Sequence, residues 1–531
     1  MKNPFKQIER FFLAVILAGA IAGPALAQVT ATISGRVEDP SGAAIPQATV
    51  TVTSLETKAG RTVATDAGGT YRVLALPVGQ YEVKAEAAGF RAALQTGIGL
   101  AVGQEVVVTL KLAVGAVQEQ VTVTEAAQLV NTTTASVSGL VGERQVKDLP
   151  LNGRSFDNLI ALNPGAVNYS LKAGPSIGSG EGAYFSVSGR RPLDNIFLLN
   201  GIEYTGASFI GITPGGVSGQ LLGIDAVREF NVMSDAYSAE YGKHGGAQVS
   251  VVTQSGSNQL HGALFEFLRN NKLDARNFFD ASTGAPPFKR NQFGASLGGP
   301  IKKDKMFLFG NWEAFRHRLG VSNVAFVPDD NARQGMLPCN IAYTAAADRD
   351  ANCTGGLNAP VRAPNLDSRM LRFMALWPQA NGPEQVASGL ATGVAKNFNN
   401  PLQSIREDFG TARFDWNLSD KDTVTTAYTL DDGDNTTPLT NYYFGTIAYL
   451  QSQVASAQET HVFSPRLLNT VRAGLSRAAF NFDSTSLVPL PPDITLFAGR
   501  PPGPLSIGGA SAAAVGNLTP AGAGIAGRIL N

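Results

Sequence analysis

Cysteine, histidine and long apolar runs are what this 531-residue chain has least of. Only Cys339 and Cys353 are present, which excludes a disulfide-dense scaffold and a cysteine-based metal protein. His244, His261, His317 and His461 stand apart with no paired spacing, so no metal site is expected from them. No stretch reaches the roughly 18 consecutive apolar residues of a membrane-spanning helix. Entry into a bilayer would therefore require a closed barrel that satisfies its own backbone. A charge excess is missing too, since 42 basic residues face 42 acidic ones, and with it goes the electrostatic footprint of a nucleic-acid binder. Convincing catalytic motifs are also scarce. Gly174, Ser176 and Gly178 satisfy G-x-S-x-G, but a nucleophile elbow needs a strand before it and a helix after it, and both flanks are Gly/Ser-rich. Residues 178–183 fit a dinucleotide fingerprint only loosely, again without strand or helix. Neither catalysis nor a cofactor is expected.

What is present begins with a leader. Lys2, Lys6 and Arg10 precede an apolar run over residues 11–22, then Pro24 and the small-residue site Ala25-Leu26-Ala27. That order spells a secretory signal peptide, residues 1–27, with cleavage after Ala27. The run is too short for a spanning helix of about 20 residues, and no cysteine follows it to carry a lipid. The mature chain is expected to leave the cytoplasm.

Between residues 31 and 112, short alternating runs are punctuated by turns at Asp39-Pro40-Ser41-Gly42, Asp66-Ala67-Gly68-Gly69 and Pro77-Val78-Gly79. Val50 and Val52 alternate with Thr49, Thr51 and Thr53, and Tyr81 and Val83 with Glu82 and Lys84. Runs this short and evenly spaced predict a β-sandwich of about seven strands. The lines ISGRVEDPSGAAIPQATVTV and GGTYRVLALPVGQYEVKAEAAGF resemble the carboxypeptidase regulatory-like domain, a transthyretin-like sandwich, which places that domain at residues 28–113. The resemblance implies no peptidase chemistry, and the span holds no His or Cys for zinc.

Residues 236–279 join two strand patterns. Residues 247–254 read as one strand and 261–269 as the next, across Gly256-Ser257-Asn258. In the second, Ala263, Phe265 and Phe267 share one face, while Gly262, Leu264, Glu266 and Leu268 share the other. Later strands come as hairpins: 291–299 with 306–318, and 409–417 with 423–431. Ala412, Phe414 and Trp416 fall on one face, and Thr411, Arg413, Asp415 and Asn417 on the other. Short turns alternate with a long excursion over residues 319–406, the asymmetry of an outer-membrane barrel. Within the excursion, Cys339 and Cys353 are close enough to close a loop in an oxidising compartment.

From residue 138 onward the wording resembles a TonB-dependent outer-membrane receptor of the Oar-like kind. Leu149, Pro150, Asn152, Gly153 and Arg154 carry the match, with Gly189 and Arg190, Asn200 and Gly201, Tyr241 and Gly242, and Gly245 and Gly246. The resemblance implies a plug at residues 138–255 and the first part of a transmembrane barrel at 256–531. Asn200 departs from the Asp usual before that Gly, so an ion pair there is not expected. Glu119-Gln120-Val121-Thr122-Val123-Thr124-Glu125, within a connector at residues 114–137, resembles a Ton box, the extended peptide that meets TonB in the periplasm by adding to its sheet edge. The same alternation suits an ordinary sandwich strand or linker.

The expected fold class is thus all-β dominated: a transthyretin-like sandwich, a mixed α/β plug, and an incomplete antiparallel barrel of about seven strands. Family barrels close with on the order of 22 strands, so the chain reads as the N-terminal part of a longer receptor. Arg190, Arg191, Arg228 and Glu229 are expected to hold the plug in the barrel, and Asn311, Glu313, His317, Arg413 and Asp415 to line the lumen. The implied function is energy-coupled uptake of a scarce nutrient, with TonB, outer-membrane lipid and an unidentified extracellular ligand as partners and no nucleic acid. An adhesin or export component on the same body, a secreted hydrolase acting through Ser176 and a soluble surface β protein are the rivals.

Overall fold

The computed structural model describes residues 30–115, 120–123, 137–168, 182–204, 214–237, 241–275, 285–464, 467–492, 494, 503–507, 517–522 and 527–530. The leader, Glu119, Thr124 and Glu125 and the Ser176 pattern lie outside the described residues.

The N-terminal sandwich contains β1 (Ala31–Glu38), β2 (Thr49–Ser54), β3 (Gly60–Ala64), β4 (Thr70–Leu76), β5 (Gly79–Glu86), β6 (Ala92–Leu100), β7 (Glu105–Val107), β8 (Leu110–Lys111) and β9 (Gln120–Val123). One sheet runs β4-β1-β7, with β8 also on β1; the other runs β3-β2-β5-β6-β9. Side chains alternate across each strand, so Val50, Val52, Val83, Ile33 and Val37 fill the space between the sheets. Tyr71 and Tyr81 are buried there as well, and their hydroxyls donate to the carbonyls of Val108 and Pro77 at 2.8 Å each, which satisfies the polar tip of an otherwise apolar ring. The expected count of about seven strands misses β8 and β9. At two residues β8 is too short for a period of two to register, while β9 falls in the alternating segment 119–125, for which a sandwich strand is one of the expected readings.

The plug is built on β10 (Val137–Val141), β11 (Ala166–Asn168), β12 (Phe185–Val187), β13 (Ile196–Leu199), β14 (Ile202–Glu203), β15 (Val227–Asp235) and β16 (Gln248–Thr253), with one α-helix, Glu143–Asp148, and short 3-10 helices such as Phe156–Leu162 among the described residues. Its main sheet runs β10-β15-β16-β13-β14, and β11 and β12 form a separate pair. The middle strand, β16, is buried along its whole length, and both its faces supply core. Val146, Phe156, Leu159, Phe185, Phe230 and Val249 pack together around it.

The third part is an eight-stranded antiparallel sheet of β17 (His261–Asn270), β18 (Phe288–Lys302), β19 (Met306–Gly320), β25 (Leu402–Asn417), β26 (Asp422–Pro438), β27 (Phe444–Ser464), β28 (Leu467–Ser486) and β29 (Gly527–Leu530). Between β19 and β25 come β20 (Asn323–Pro328), β21 (Met336–Pro338), β22 (Pro360–Arg362), β23 (Glu384–Ala387) and β24 (Leu390–Asn399). The sheet is open, with β17 and β29 at its ends. Its eighth strand, β29, is one more than the seven expected. The excursion also needs correcting: β19 continues to Gly320 and β25 begins at Leu402, so both ends of residues 319–406 are barrel strand. The rest folds into a β20-β24-β23 sheet and a β21-β22 pair around Val327, Phe373, Leu376 and Trp377.

One face of the barrel sheet looks onto the plug and the other is open. On the open face Leu264 is 87% exposed and Leu297 60%, and Leu308, Trp312, Trp416, Tyr428 and Leu475 accompany them. An apolar band of this kind suits hydrocarbon rather than water.

Candidate functional site

The two-residue period of each strand decides what faces the plug. On β19 these positions are Phe309, Asn311, Glu313, Phe315 and His317; on β25 they are Glu407, Phe409, Thr411, Arg413 and Asp415. Glu313 and Glu407 are completely buried, which a carboxylate tolerates only with donors around it. Those donors come mainly from the plug backbone. Ser218 N–H donates to Glu407 at 2.7 Å, Gly223 N–H to Glu313 at 3.0 Å, and the side chain of Gln292 to Glu313 at 2.6 Å. Gly223 has φ +85°, and a Cβ there would sit 2.1 Å from the ring of Phe409, so only glycine brings this amide so close to the wall. Beside it Val217 and Leu222 pack against Phe309, Phe315, Leu450 and Phe480.

Arg154 is the plug's cationic contact with the wall. Its guanidinium donates to Asp225 at 2.5 Å, lies 3.7 Å from Glu313, and stacks 4.0 Å above the ring of Phe265 and 5.1 Å from that of Phe267. Cation and ring faces attract in such an arrangement. Gly153 accepts from Gln292 at 3.1 Å. At the other end of the sheet Arg413 pairs with Asp415 at 2.9 Å and donates to the carbonyl of Thr253 at 2.7 Å. Asn311, Glu313, His317, Arg413 and Asp415 all lie on the face that sequence reading assigned to the lumen. Glu407, Gln292 and Asp225 were missed there. An acidic residue sharing a face with Phe409 and Thr411 was the available signal for Glu407.

The remaining motif residues frame the plug without converging on one pocket. Leu149 and Pro150 follow the helix and are exposed, and Asn152 opens the turn that carries Gly153 and Arg154. Gly189 is in a turn with φ +74°, and Arg190 donates to the carbonyl of Ser234 at 2.7 Å and to Asp235 at 3.2 Å. Asn200 and Gly201 make the turn from β13 to β14, with φ +50° and +79°. The side-chain oxygen of Asn200 accepts from both the N–H and the hydroxyl of Thr253, at 3.1 Å each. Its partners are uncharged, so an amide serves as well as a carboxylate. Tyr241 meets Tyr237 edge-on at 6.3 Å, and Gly242 accepts from Gln248 at 3.5 Å. Gly245 is open, whereas a Cβ on Gly246 would lie 2.3 Å from the carbonyl oxygen of Asp194.

The expectation that Arg190, Arg191, Arg228 and Glu229 hold the plug in the barrel is corrected for Arg190, Arg228 and Glu229 by their partners, and Arg191 makes no side-chain hydrogen bond or ion pair with the wall among the described residues. Arg190 stays within the plug. Arg228 forms a two-bond ion pair with Glu56 of the sandwich, at 2.9 and 2.5 Å, and Glu229 accepts from Val102 N–H, also in the sandwich, at 2.5 Å. Val78, Val102 and Val252 close the seam. Burial pushes the Glu229 carboxyl up to about 7, against the pull of the Val102 amide and Arg228. These charges dock the sandwich onto the plug, because residues 228 and 229 of β15 lie just past the end of its pairing with β10 and meet Glu56 and Val102 of the sandwich rather than the wall.

The segment Glu119 to Glu125 is represented by Gln120–Val123, which forms β9. It pairs in parallel with β6, Ala92 opposite Gln120 and Gln95 opposite Val123, at the edge of the five-stranded sandwich sheet. Cys339 and Cys353 are joined, with Cα atoms 5.7 Å apart. Among the described residues one trio has metal-ligand types close together: His461 is hydrogen-bonded to Asp422 at 2.5 Å, and Glu459 completes a group within 4.8 Å.

Comparison with known proteins bears on the sandwich and the barrel sheet. A family model described as an outer membrane beta barrel domain matches residues 252–528, and one described as a carboxypeptidase regulatory-like domain matches residues 32–113. The chain is 28% identical over 313 residues to the TonB-dependent transporter Oar of Myxococcus xanthus, covering 56% of this chain and 28% of that protein. It thus spans less than a third of that relative's length. Solved structures with similarity include the siderophore receptor PirA of Acinetobacter baumannii (11% identity, 66% of this chain and 45% of that one, TM-score 0.32), the outer membrane transporter YddB of Escherichia coli (12%, 66% and 44%, 0.34) and the ferric yersiniabactin uptake receptor FyuA of Yersinia pestis (10%, 66% and 50%, 0.36).

Proposed function

This chain belongs to the outer membrane β-barrel domain family and carries an N-terminal carboxypeptidase regulatory-like domain, and from that premise we propose that it is a TonB-dependent, Oar-like receptor that takes part in energy-coupled uptake of a scarce nutrient. It resides in the outer membrane. The ligand binds on the side of the long excursion, and the sandwich lies in the periplasm. Within residues 119–125, the stretch 121–124 pairs with the sheet edge of TonB, and the pull displaces the plug; the chain makes and breaks no covalent bond.

The observation that supports this best is the contact between plug and wall. Ser218 and Gly223 offer backbone amides to Glu407 and Glu313, so the plug is held by individual hydrogen bonds and apolar contacts that a pull can exchange for water one at a time. The edge position of β9 favours the same reading. One of its edges is on β6, and the other has no strand beside it among the described residues, which is the geometry that strand addition requires. The test is Val121→Pro or Val123→Pro, each of which removes a backbone donor. Uptake should be lost while ligand binding to whole cells is kept; equal loss of both would refute the assignment of this segment.

A further inference from the structure

The open face of the barrel sheet changes character abruptly at one level. Residues that lie side by side across β18, β19, β25 and β26 form rows. The row Leu297, Gly310, Ala412 and Tyr428 and the row Ala295, Trp312, Gly410 and Leu430 are apolar. Two residues further along each strand the row is Phe293, Ala314, Asp408 and Asp432, and beyond it come Asn291, Arg316, Arg406 and Asp434, then Lys289, Arg318, Ser404 and Thr436. The first rows suit hydrocarbon and the last suit the headgroup layer, on the side of the long excursion.

Charge within the polar rows is unevenly matched. Asp408, Asp432 and Asp434 are all engaged by two guanidinium groups: Arg316 grips Asp408 at 2.8 and 2.9 Å, and Arg406 reaches Asp408, Asp432 and Asp434 at 2.7, 3.1 and 2.7 Å. Lys289 and Arg318 are left over. They are exposed, lie directly opposite each other on neighbouring strands, and have no carboxylate partner among the described residues. Two like charges in that relation are destabilising by themselves, and an anion between them reverses the sign. A cavity of about 470 Å³ opens at this place, lined by Lys289, Asn291, Arg318 and Ser404, and by Arg316, Arg406 and the Asp434 carboxylate that Arg406 already engages.

We propose that Lys289 and Arg318, with the amide of Asn291 and the hydroxyl of Ser404 beside them, bind the phosphate of a membrane lipid headgroup on the outer wall of the barrel. The site rests on the outer-membrane reading above, because only there is this wall in contact with lipid. Arg318 supplies the planar fork that matches phosphate oxygens, and Lys289 supplies a point charge. The level of the site, directly above the apolar band, favours a headgroup whose acyl chains run down over Trp312 and Tyr428.

The experiment uses the full-length gene product in its native membrane. Membrane fractionation first asks whether the receptor is in the outer membrane; if it is not, this site and the transport reading fall together. Where it is, the detergent-extracted receptor is analysed by native mass spectrometry for retained phosphorylated lipid. Lys289→Gln combined with Arg318→Gln should lower retention at least tenfold, while Lys302→Gln with Lys303→Gln, at the opposite end of the strands, leaves it unchanged. Phosphatase treatment of the lipid should abolish rebinding, and inorganic phosphate at about 10 mM should not displace it. Equal retention by both double variants, rebinding of dephosphorylated lipid, or displacement by inorganic phosphate would each overturn the proposal while leaving the transport reading standing.

Discussion

Raising the pH should loosen the sandwich from the plug, and Glu229 sets both the sign and the size. Its carboxyl is buried against Val102 and pushed up from 4.5 to about 7, chiefly by loss of water. A group whose pKa is raised by docking supports the docked state fully below its free value, and that support fades as the pH climbs through about 7. At about 1.36 kcal/mol per pKa unit, a rise from 4.5 to about 7 sets a ceiling on the order of 3 kcal/mol, or roughly two orders of magnitude in the docking equilibrium. The free plug would still shield part of the side chain, so a tenfold to hundredfold change between about pH 5 and about pH 8 is expected. Hydrogen exchange at the Val102 amide, corrected for its intrinsic pH dependence, reads the equilibrium directly. Glu229→Gln keeps an acceptor but cannot ionise, and it should hold the docked level across the range. Docking that tightens with pH, or a Glu229→Gln variant that keeps the wild-type slope, would refute the reasoning.

Glu407→Ala should strand the Ser218 amide in a dry site and weaken plug retention by about 1–3 kcal/mol, measured as a lower urea midpoint for plug release; Glu407→Gln should restore much of the loss. Gly246→Ala should destabilise the plug by about 1–3 kcal/mol, because its Cβ would lie 2.3 Å from the Asp194 carbonyl oxygen. Gly245→Ala, with nothing within 4 Å, should be close to neutral in the same titration. Removing the bond with Cys339→Ser and Cys353→Ser together should cost the excursion about 3 kcal/mol of local stability. It should appear as faster protease nicking within residues 336–362 while the heat-modifiable mobility of the barrel is unchanged.

What the sequence discloses and what it hides follow from the range of each signal. A strand assigns faces by a period of two, so the split of Ala412, Phe414 and Trp416 from Thr411, Arg413 and Asp415 is readable from neighbouring letters alone. The Arg413–Asp415 pair is two residues apart and is equally local. Partners chosen by tertiary assembly leave no such trace. Arg228 finds Glu56 at a separation of 172 residues, and Glu407 finds Ser218 at 189, so the direction in which those charges point was not available from composition or spacing. Length matters as well: β8, two residues, and β29, four, are shorter than the window in which alternation becomes distinct. The excursion folds around Trp377 and Phe373 with help from Phe444 and Leu518, more than 60 residues away in sequence, which explains why a core there was invisible to a linear reading.

The position of β10 within the plug has a mechanical consequence. It follows the connector and lies at the rim of its sheet with β15 as its one neighbour, Val137 opposite Asp235 and Val141 opposite Phe230. Tension entering at Val137 would unzip these pairs in succession instead of shearing them together, and separation in sequence needs the smaller peak force. The opposite end is moored: β16 is interior to the sheet, the carbonyl of Thr253 is gripped by Arg413, and only residues 254–260 separate it from β17. Under the proposed pull, a plug strung this way would yield first at β10 while Thr253 stays held.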